Sequence, residues 1–321
     1  MRRSIVLITS ALLTLSACGT PQPETGSGGG GVTVEHAMGR TEIPARPKTV
    51  AALDTSYIDA TLALETDLVA YTHYSGLGPG KYPDYIAADW EKYAKNAQPV
   101  GDLMQPDLEK LAGISPELIV SAKVRHAEIY DKLTRIGPTV FSDSTGLTWK
   151  ENIRLLGRSL GREDLANTKI SAYEARAKKV GDAIRAKAAK NPSVSLVRFV
   201  AGEQTVRLYT ENSFPGTVLF KDAGLARPDG QPTSEKIAVY LSQEQLSSVD
   251  ADRILTSTWA DPKNESQKIK EQYSANPLWA QLKGQKQEVR DLVWIASVSL
   301  QGAHAMLDEL ARGFGVDPAG S

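Results

Sequence analysis

Two short stretches carry the side chains best suited to hold a ligand. Lys123-Val124-Arg125-His126 follows the apolar run Leu118-Ile119-Val120, and Thr258-Trp259-Ala260-Asp261 follows Ile254-Leu255. The segments leading into them repeat each other without a gap. Glu109 falls on Glu244, Leu111 on Leu246, Ile114 on Val249, Glu117 on Asp252, Ile119 on Ile254 and Val120 on Leu255. Each copy reads as a short helix, a turn and a buried strand, an internal repeat that points to two like-folded lobes. The same alignment puts Trp259 where Val124 stands, between Lys123 and Arg125. Lobes that face each other would therefore set cations on one side against an aromatic on the other.

Other chemistries lack their residues. No His-Glu-x-x-His pair occurs. Gly76-Leu77-Gly78-Pro79-Gly80 lacks the Lys-Ser/Thr ending of a phosphate loop. The four histidines, His36, His73, His126 and His304, are dispersed without metal-ligand spacing. Cys18 is the single cysteine, which rules out an internal disulfide and a cysteine metal site. Glu109 and Glu244 as a glycosidase pair would have to lie ~5–10 Å apart, whereas the repeat puts them on separate lobes. A net charge of −1 without basic clusters argues against nucleic acid.

The elements that position these residues follow from periodicity. Strand and helix signals alternate from Thr49-Val50-Ala51-Ala52-Leu53 through Leu68–Tyr71, Leu118–Val120 and Thr139–Phe141, the mark of a sheet covered by helices. Ligands of such sheets sit beyond the carboxyl ends of the strands. Those ends carry Asp54–Tyr57, Thr72–Tyr74, Lys123–His126 and Ser142–Ser144. A hairpin is expected at 32–43, turning at Met38-Gly39, and another at 193–209 around Gly202. Phe214-Pro215-Gly216 opens a helix reaching Ala223, Trp279 belongs to the core, and a final helix covers 302–314. Between the two copies lies a predicted long helix, 162–190, with Tyr173, Ala177, Val180 and Ile184 as its apolar stripe. Glu163 and Asp164 open it, Lys187 and Lys190 close it, and Asn191-Pro192 stops it. The expected fold is α/β, with lobes at 32–161 and 191–321 joined by that helix and a ligand cleft between them.

At the front, Met1-Arg2-Arg3, the apolar run Ile5–Leu13 and Leu15-Ser16-Ala17-Cys18 form an export signal too short to span a bilayer. Small residues before Cys18 resemble the lipobox of bacterial lipoproteins, which implies that 1–18 is a lipoprotein signal and that Cys18 is lipidated. The Pro-, Ser- and Gly-rich stretch 19–31 reads as a flexible tether.

A lipobox, two αβ lobes and one connecting helix resemble the substrate-binding proteins of ATP-binding-cassette importers for iron-siderophores, haem and cobalamin. The resemblance covers Val32 to Val316 and is most specific at Leu108-Glu109 through Val120 and at Ser242-Gln243-Glu244 through Leu255. It implies a monomer on the extracytoplasmic face of the cell membrane that uses no cofactor, is not an enzyme, and docks onto its permease through Glu109 and Glu244. It also implies a compact metal chelate in a shallow cleft, its iron held by the siderophore. For such a ligand Arg125 and Arg198, with Lys123 behind them, would supply donors, arginine being a planar and permanently charged fork. Trp259, Trp294, Tyr74, Tyr209 and Phe214 would supply the walls. Few cations among many aromatics point to a hydroxamate siderophore of ferrioxamine type. Haem or cobalamin is the alternative within the family, and a lipid-anchored enzyme the alternative outside it.

Overall fold

The computed structural model describes residues 31–320, in which the chain lays down one hairpin and two five-stranded sheets. The signal-like segment, Cys18 and the tether as far as residue 30 lie outside the described residues. The hairpin pairs β1 (Val32–His36) with β2 (Gly39–Ile43). Its closing pair is His36 with Gly39, so the turn is Ala37-Met38, one residue earlier than the sequence reading placed it. Gly39 opens the second strand at φ +121°, a conformation that favours glycine.

The first lobe's strands are β3 (Thr49–Ala52), β4 (Asp67–Tyr71), β5 (Gln98–Pro99), β6 (Leu118–Ala122) and β7 (Thr139–Ser142). They form an all-parallel sheet ordered β5-β4-β3-β6-β7. Covered on both faces, β6 is buried at every residue, as parallel strands are. The second lobe has β8 (Val194–Phe199), β9 (Val206–Tyr209), β10 (Ala238–Leu241), β11 (Arg253–Thr258) and β12 (Gln285–Glu288), ordered β10-β9-β8-β11-β12. Here β8 and β9 make the expected antiparallel hairpin, while β11 runs parallel to β8 and β12.

The internal repeat has a structural counterpart. β6 and β11 each hold the fourth place in their sheet, beside a central strand, and a helix that carries the aligned glutamate precedes each. The aligned acids also do the same work. Glu117 accepts the Lys48 amide at 2.6 Å and donates its own amide to the Thr49 hydroxyl. Asp252 accepts the Ser193 amide at 2.9 Å and donates its amide to the Ser193 hydroxyl. In both lobes an acid at the start of the fourth strand thus grips the start of the third. The two leading helices differ in pitch, α-helical over Leu108–Ile114 and 3₁₀ over Gln243–Val249.

Glu163–Ala188 is the 26-residue connecting helix, two residues shorter than expected at its C-terminal end because Ala189 turns into the left-handed region at φ 52°. Tyr173, Ala177, Val180 and Ile184 are all fully buried. Its close partner is the segment Thr217–Asp222, which continues the short helix Phe214–Gly216 with a π-helical pitch. Gly181 permits that approach, since a Cβ there would press into the Ala223 carbonyl. Gly181→Ala is expected to destabilise the fold by about 1–3 kcal/mol through overpacking, against the ~1 kcal/mol that alanine normally gains over glycine in a helix. A thermal melt checks this, and an unchanged or raised Tm would show that the interface yields.

One apolar core runs through both lobes. It joins Val50, Leu118 and Val140 of the first sheet, the connecting-helix stripe, Leu196 and Leu255 of the second sheet, and Leu300 to Ala311 of the last helix. That last helix, Leu300–Phe314, packs against the connecting helix and also against Thr55–Ala63 of the first lobe. Smaller clusters fill the far face of each sheet, with Trp279 in that of the second lobe.

Candidate functional site

The carboxyl ends of the strands meet in a cleft of about 250 Å³ between the lobes. Asp54 and Thr55 follow β3, Leu103 follows β5, Arg125 follows β6 and Thr145 follows β7. From the second lobe come Arg198 and Val200 of β8 and its end, Trp259 after β11, and the loop Ile295, Ala296 and Val298. Arg125, Arg198 and Trp259 are therefore brought together.

Each arginine is held by its own acid. Asp54 caps the helix Thr55–Ala63 by accepting the Ser56 amide at 2.9 Å, and its other oxygen takes the Arg125 Nε at 3.0 Å. Only Nε of Arg125 is engaged by a described residue, so both Nη groups stay available, on a side chain 34 % exposed. Arg198 is more enclosed. Its Nε and one Nη grip the two Asp291 oxygens at 2.6 and 2.7 Å, and the Ser257 hydroxyl donates to the same carboxylate at 2.7 Å. Burial alone would lower the Arg198 pKa, but Asp291 outweighs it and the net shift is upward. The second lobe thus presents a fixed cation in the cleft it shares with Trp259, and the first a cation with donors to spare.

Lys123 stands outside the cleft on an exposed side chain, 3.9 Å from Asp143. The other sequence-named walls are enclosed by protein. Trp294 is fully buried and donates its indole Nε1 to Glu309 at 2.8 Å. Phe214 is buried edge-on to Trp149, and Tyr209 is buried beside the Arg198 guanidinium. Tyr74 is buried with its hydroxyl on Asp59. None of these four lines the cleft, because each spends its polar or apolar face on a tertiary partner. In their place the cleft wall is Leu103, Val200, Ile295, Ala296 and Val298. Val298 adopts φ 40°, a costly conformation for a β-branched residue, in a loop held by the Thr55 hydroxyl on the Ala296 carbonyl at 2.9 Å.

Asp59, on the helix that Asp54 caps, is fully buried and accepts from Tyr74 and, at 3.1 Å, from Tyr85, with Ser297 of the second lobe alongside Tyr85. Burial pushes its pKa up to about 8, the two tyrosine hydroxyls partly opposing, and Asp89 and Asp54 adding negative charge nearby. The folded state therefore holds this proton more tightly than the unfolded chain, whose aspartate titrates near 3.8. Its contribution to stability is full in acid and is lost as pH rises from about 4 to about 8. Asp59→Asn, which keeps the shape without a titration, is expected to gain Tm relative to the parent as pH rises, the gain being much larger at pH 8 than at pH 5. An equal change at both pH values would sink the assignment.

Two exposed glutamates complete the surface. Glu109 and Glu244 each sit in the first turn of their helix, one per lobe, and neither side chain meets a described hydrogen-bond or ion-pair partner.

Two αβ lobes on a single helix, with a cleft lined by opposed side chains at the strand ends, have the architecture of a bilobal substrate-binding protein. The chain belongs to the periplasmic binding protein family, which it matches over residues 50–289. A probable siderophore-binding lipoprotein of Bacillus subtilis, YfiY, is 33% identical to it across 95% of each chain. The Fe(3+)-citrate-binding protein YfmC of the same organism is 28% identical, over 88% of this chain and 85% of that one. Among solved structures, Staphylococcus aureus SirA complexed with staphyloferrin B superposes with a TM-score of 0.79 at 26% identity, covering 89% of this chain and 99% of SirA.

Proposed function

We propose that this protein is the lipid-anchored, extracytoplasmic binding component of an ABC importer, tethered through Cys18, that captures a ferric siderophore and delivers it to the permease. The observation that carries the reading is the pair of acid-held arginines, Arg125 and Arg198, sharing one cleft with Trp259. Guanidinium groups donate to the oxygens around a chelated iron, and the indole and aliphatic wall take the ligand's carbon frame. The named ligands of YfiY and YfmC agree in kind. We take the ligand further, to a hydroxamate of ferrioxamine type. The cleft sets two cations against two carboxylates, a balance suited to a chelate of low net charge.

A second reading is a ferric citrate-type chelate, favoured by YfmC and by the unengaged Nη groups of Arg125, which fit carboxylate oxygens. Haem or cobalamin finds less support: no described histidine lines the cleft. His126, for example, is buried between Ser121 and the Leu103 carbonyl.

The test is tryptophan fluorescence on a form starting at Val32, titrated with ferrioxamine B, ferrichrome, ferric citrate, a ferric catecholate, haem and cobalamin. Of the five tryptophans, Trp259 lines the cleft while Trp90, Trp149, Trp279 and Trp294 are buried elsewhere. Saturable quenching by a hydroxamate alone is the expected outcome, lost in Trp259→Phe. Arg125→Ala should weaken the same ligand by about 1.5–3 kcal/mol, roughly ten- to a hundredfold. Quenching by citrate alone selects the second reading, and quenching by haem or cobalamin alone discards the siderophore.

A further inference from the structure

On the outer side of the second lobe a polar pocket of about 740 Å³ lies between the edge strand β12 and the end of the last helix. Arg253 lines it, 7 % exposed, with its guanidinium 4.4 Å over the Phe314 ring. Its Nε is buried without a partner, and its side chain makes no ion pair among the described residues. Parallel register puts Arg253 beside Gln285, and Gln287 two residues along the same face of β12. The Gln287 carbonyl oxygen is likewise buried and unpartnered. Gly313, where a Cβ would collide with Gln287, lets the helix end close over this face.

The charges around the pocket are unevenly matched. Its three acids are all engaged: Glu288 with Lys270 at 2.6 Å, Glu309 with Arg290 at 2.5 Å, and Asp291 with Arg198 at 2.6 Å. Arg253 and Arg312, in contrast, have no acid partner among the described residues. An uncompensated buried charge is costly, and burial lowers the Arg253 pKa accordingly. A site that keeps a cation in this state is one that an anion completes.

We propose that this pocket is a second binding site, distinct from the cleft, which takes a phosphate-sized oxyanion between Arg253 and Arg312. The two guanidinium groups donate to the ligand's charged oxygens. The same chemistry is presented by a free phosphate and by a phosphomonoester lipid headgroup.

Calorimetry of the iron-free protein with sodium phosphate, against chloride at matched ionic strength, tests it. The expected result is saturable binding accompanied by a rise in Tm. Arg253→Met should abolish both while keeping the ferric-chelate affinity of the parent. Without phosphate that variant should melt no lower than the parent, having shed an unpaired buried charge. Should it fold poorly, the exposed Arg312→Gln substitution gives an independent reading, weakening phosphate by roughly tenfold. No saturable phosphate response, or an unchanged one in both variants, overturns the proposal. Sedimentation with phosphatidic acid vesicles, competed by free phosphate, assigns the ligand to a lipid headgroup. Phosphate binding without vesicle binding assigns it to the free anion.

Discussion

A Glu109→Ala/Glu244→Ala double variant is expected to bind its ferric chelate with the affinity of the parent and to fail in uptake. Both carboxylates are exposed and unpartnered among the described residues, and each stands in the first turn of a helix that leads into the fourth strand of its own sheet. Acids in a first turn favour the helix by only a few tenths to ~1 kcal/mol, so their removal leaves the fold intact. Removing one partner from a desolvated interfacial charge pair costs about 2–5 kcal/mol, roughly thirtyfold or more. Each single variant should therefore transport poorly and the double variant hardly at all. Because the two charges belong to different lobes, a partner that engaged both would sense the relative setting of the lobes. Charge reversal at either position should be worse than alanine. Uptake of radiolabelled iron in cells carrying each variant, alongside the surface control Glu128→Ala, decides the matter. Normal transport by the double variant would remove the docking role.

Asp291→Ala is expected to be the most damaging change near the cleft. It would strip both acceptors from Arg198 and one from the Ser257 hydroxyl, in a place where Arg198 is 13 % and Asp291 8 % exposed at the side chain. Leaving a guanidinium buried without its acid costs about 3–5 kcal/mol. At ~2–4 °C per kcal/mol for a chain of this size, Tm should fall by roughly 10 °C. Ligand affinity should fall with it, since Arg198 would no longer be aimed. The double change Arg198→Met with Asp291→Leu separates the two effects: stability should largely return, because an apolar pair can replace a buried ion pair, while ligand binding should not. A double variant that binds as well as the parent would show that Arg198 is structural.

The sequence made the frame legible because the frame is written in periodicity. The connecting helix announced itself through four apolar residues at 3,4,3 spacing and a stop at Asn191-Pro192, and all four are buried. The repeat foretold two lobes because the same helix, turn and strand recur, down to the acids Glu117 and Asp252 that clamp neighbouring strands. The rule that ligands gather at strand ends led to Arg125 and Trp259. Which aromatic faces the cleft is another matter, since it depends on partners distant in sequence. Trp294 is claimed by Glu309, Tyr74 by Asp59 and Tyr209 by Arg198. Asp291, which holds Arg198 from 93 positions away, gave no local signal. The loop Ile295–Val298 was equally silent, because its place in the cleft comes from a tether to Thr55, 241 positions earlier.

The continuity of the core through both lobes has a consequence for how the chain is made. Residues from Val34 to Ala311 contribute to a single apolar cluster, and the helix supplying Leu300, Met306, Leu307 and Leu310 also packs against Thr55–Ala63 near the beginning. During synthesis the first lobe emerges long before that helix exists, so its apolar side stays open until translation is nearly complete. Such long-range closure makes for slow folding of the nascent chain. For a protein proposed to cross a membrane, the delay is useful: the polypeptide stays loose enough to be threaded until its last turn has been added.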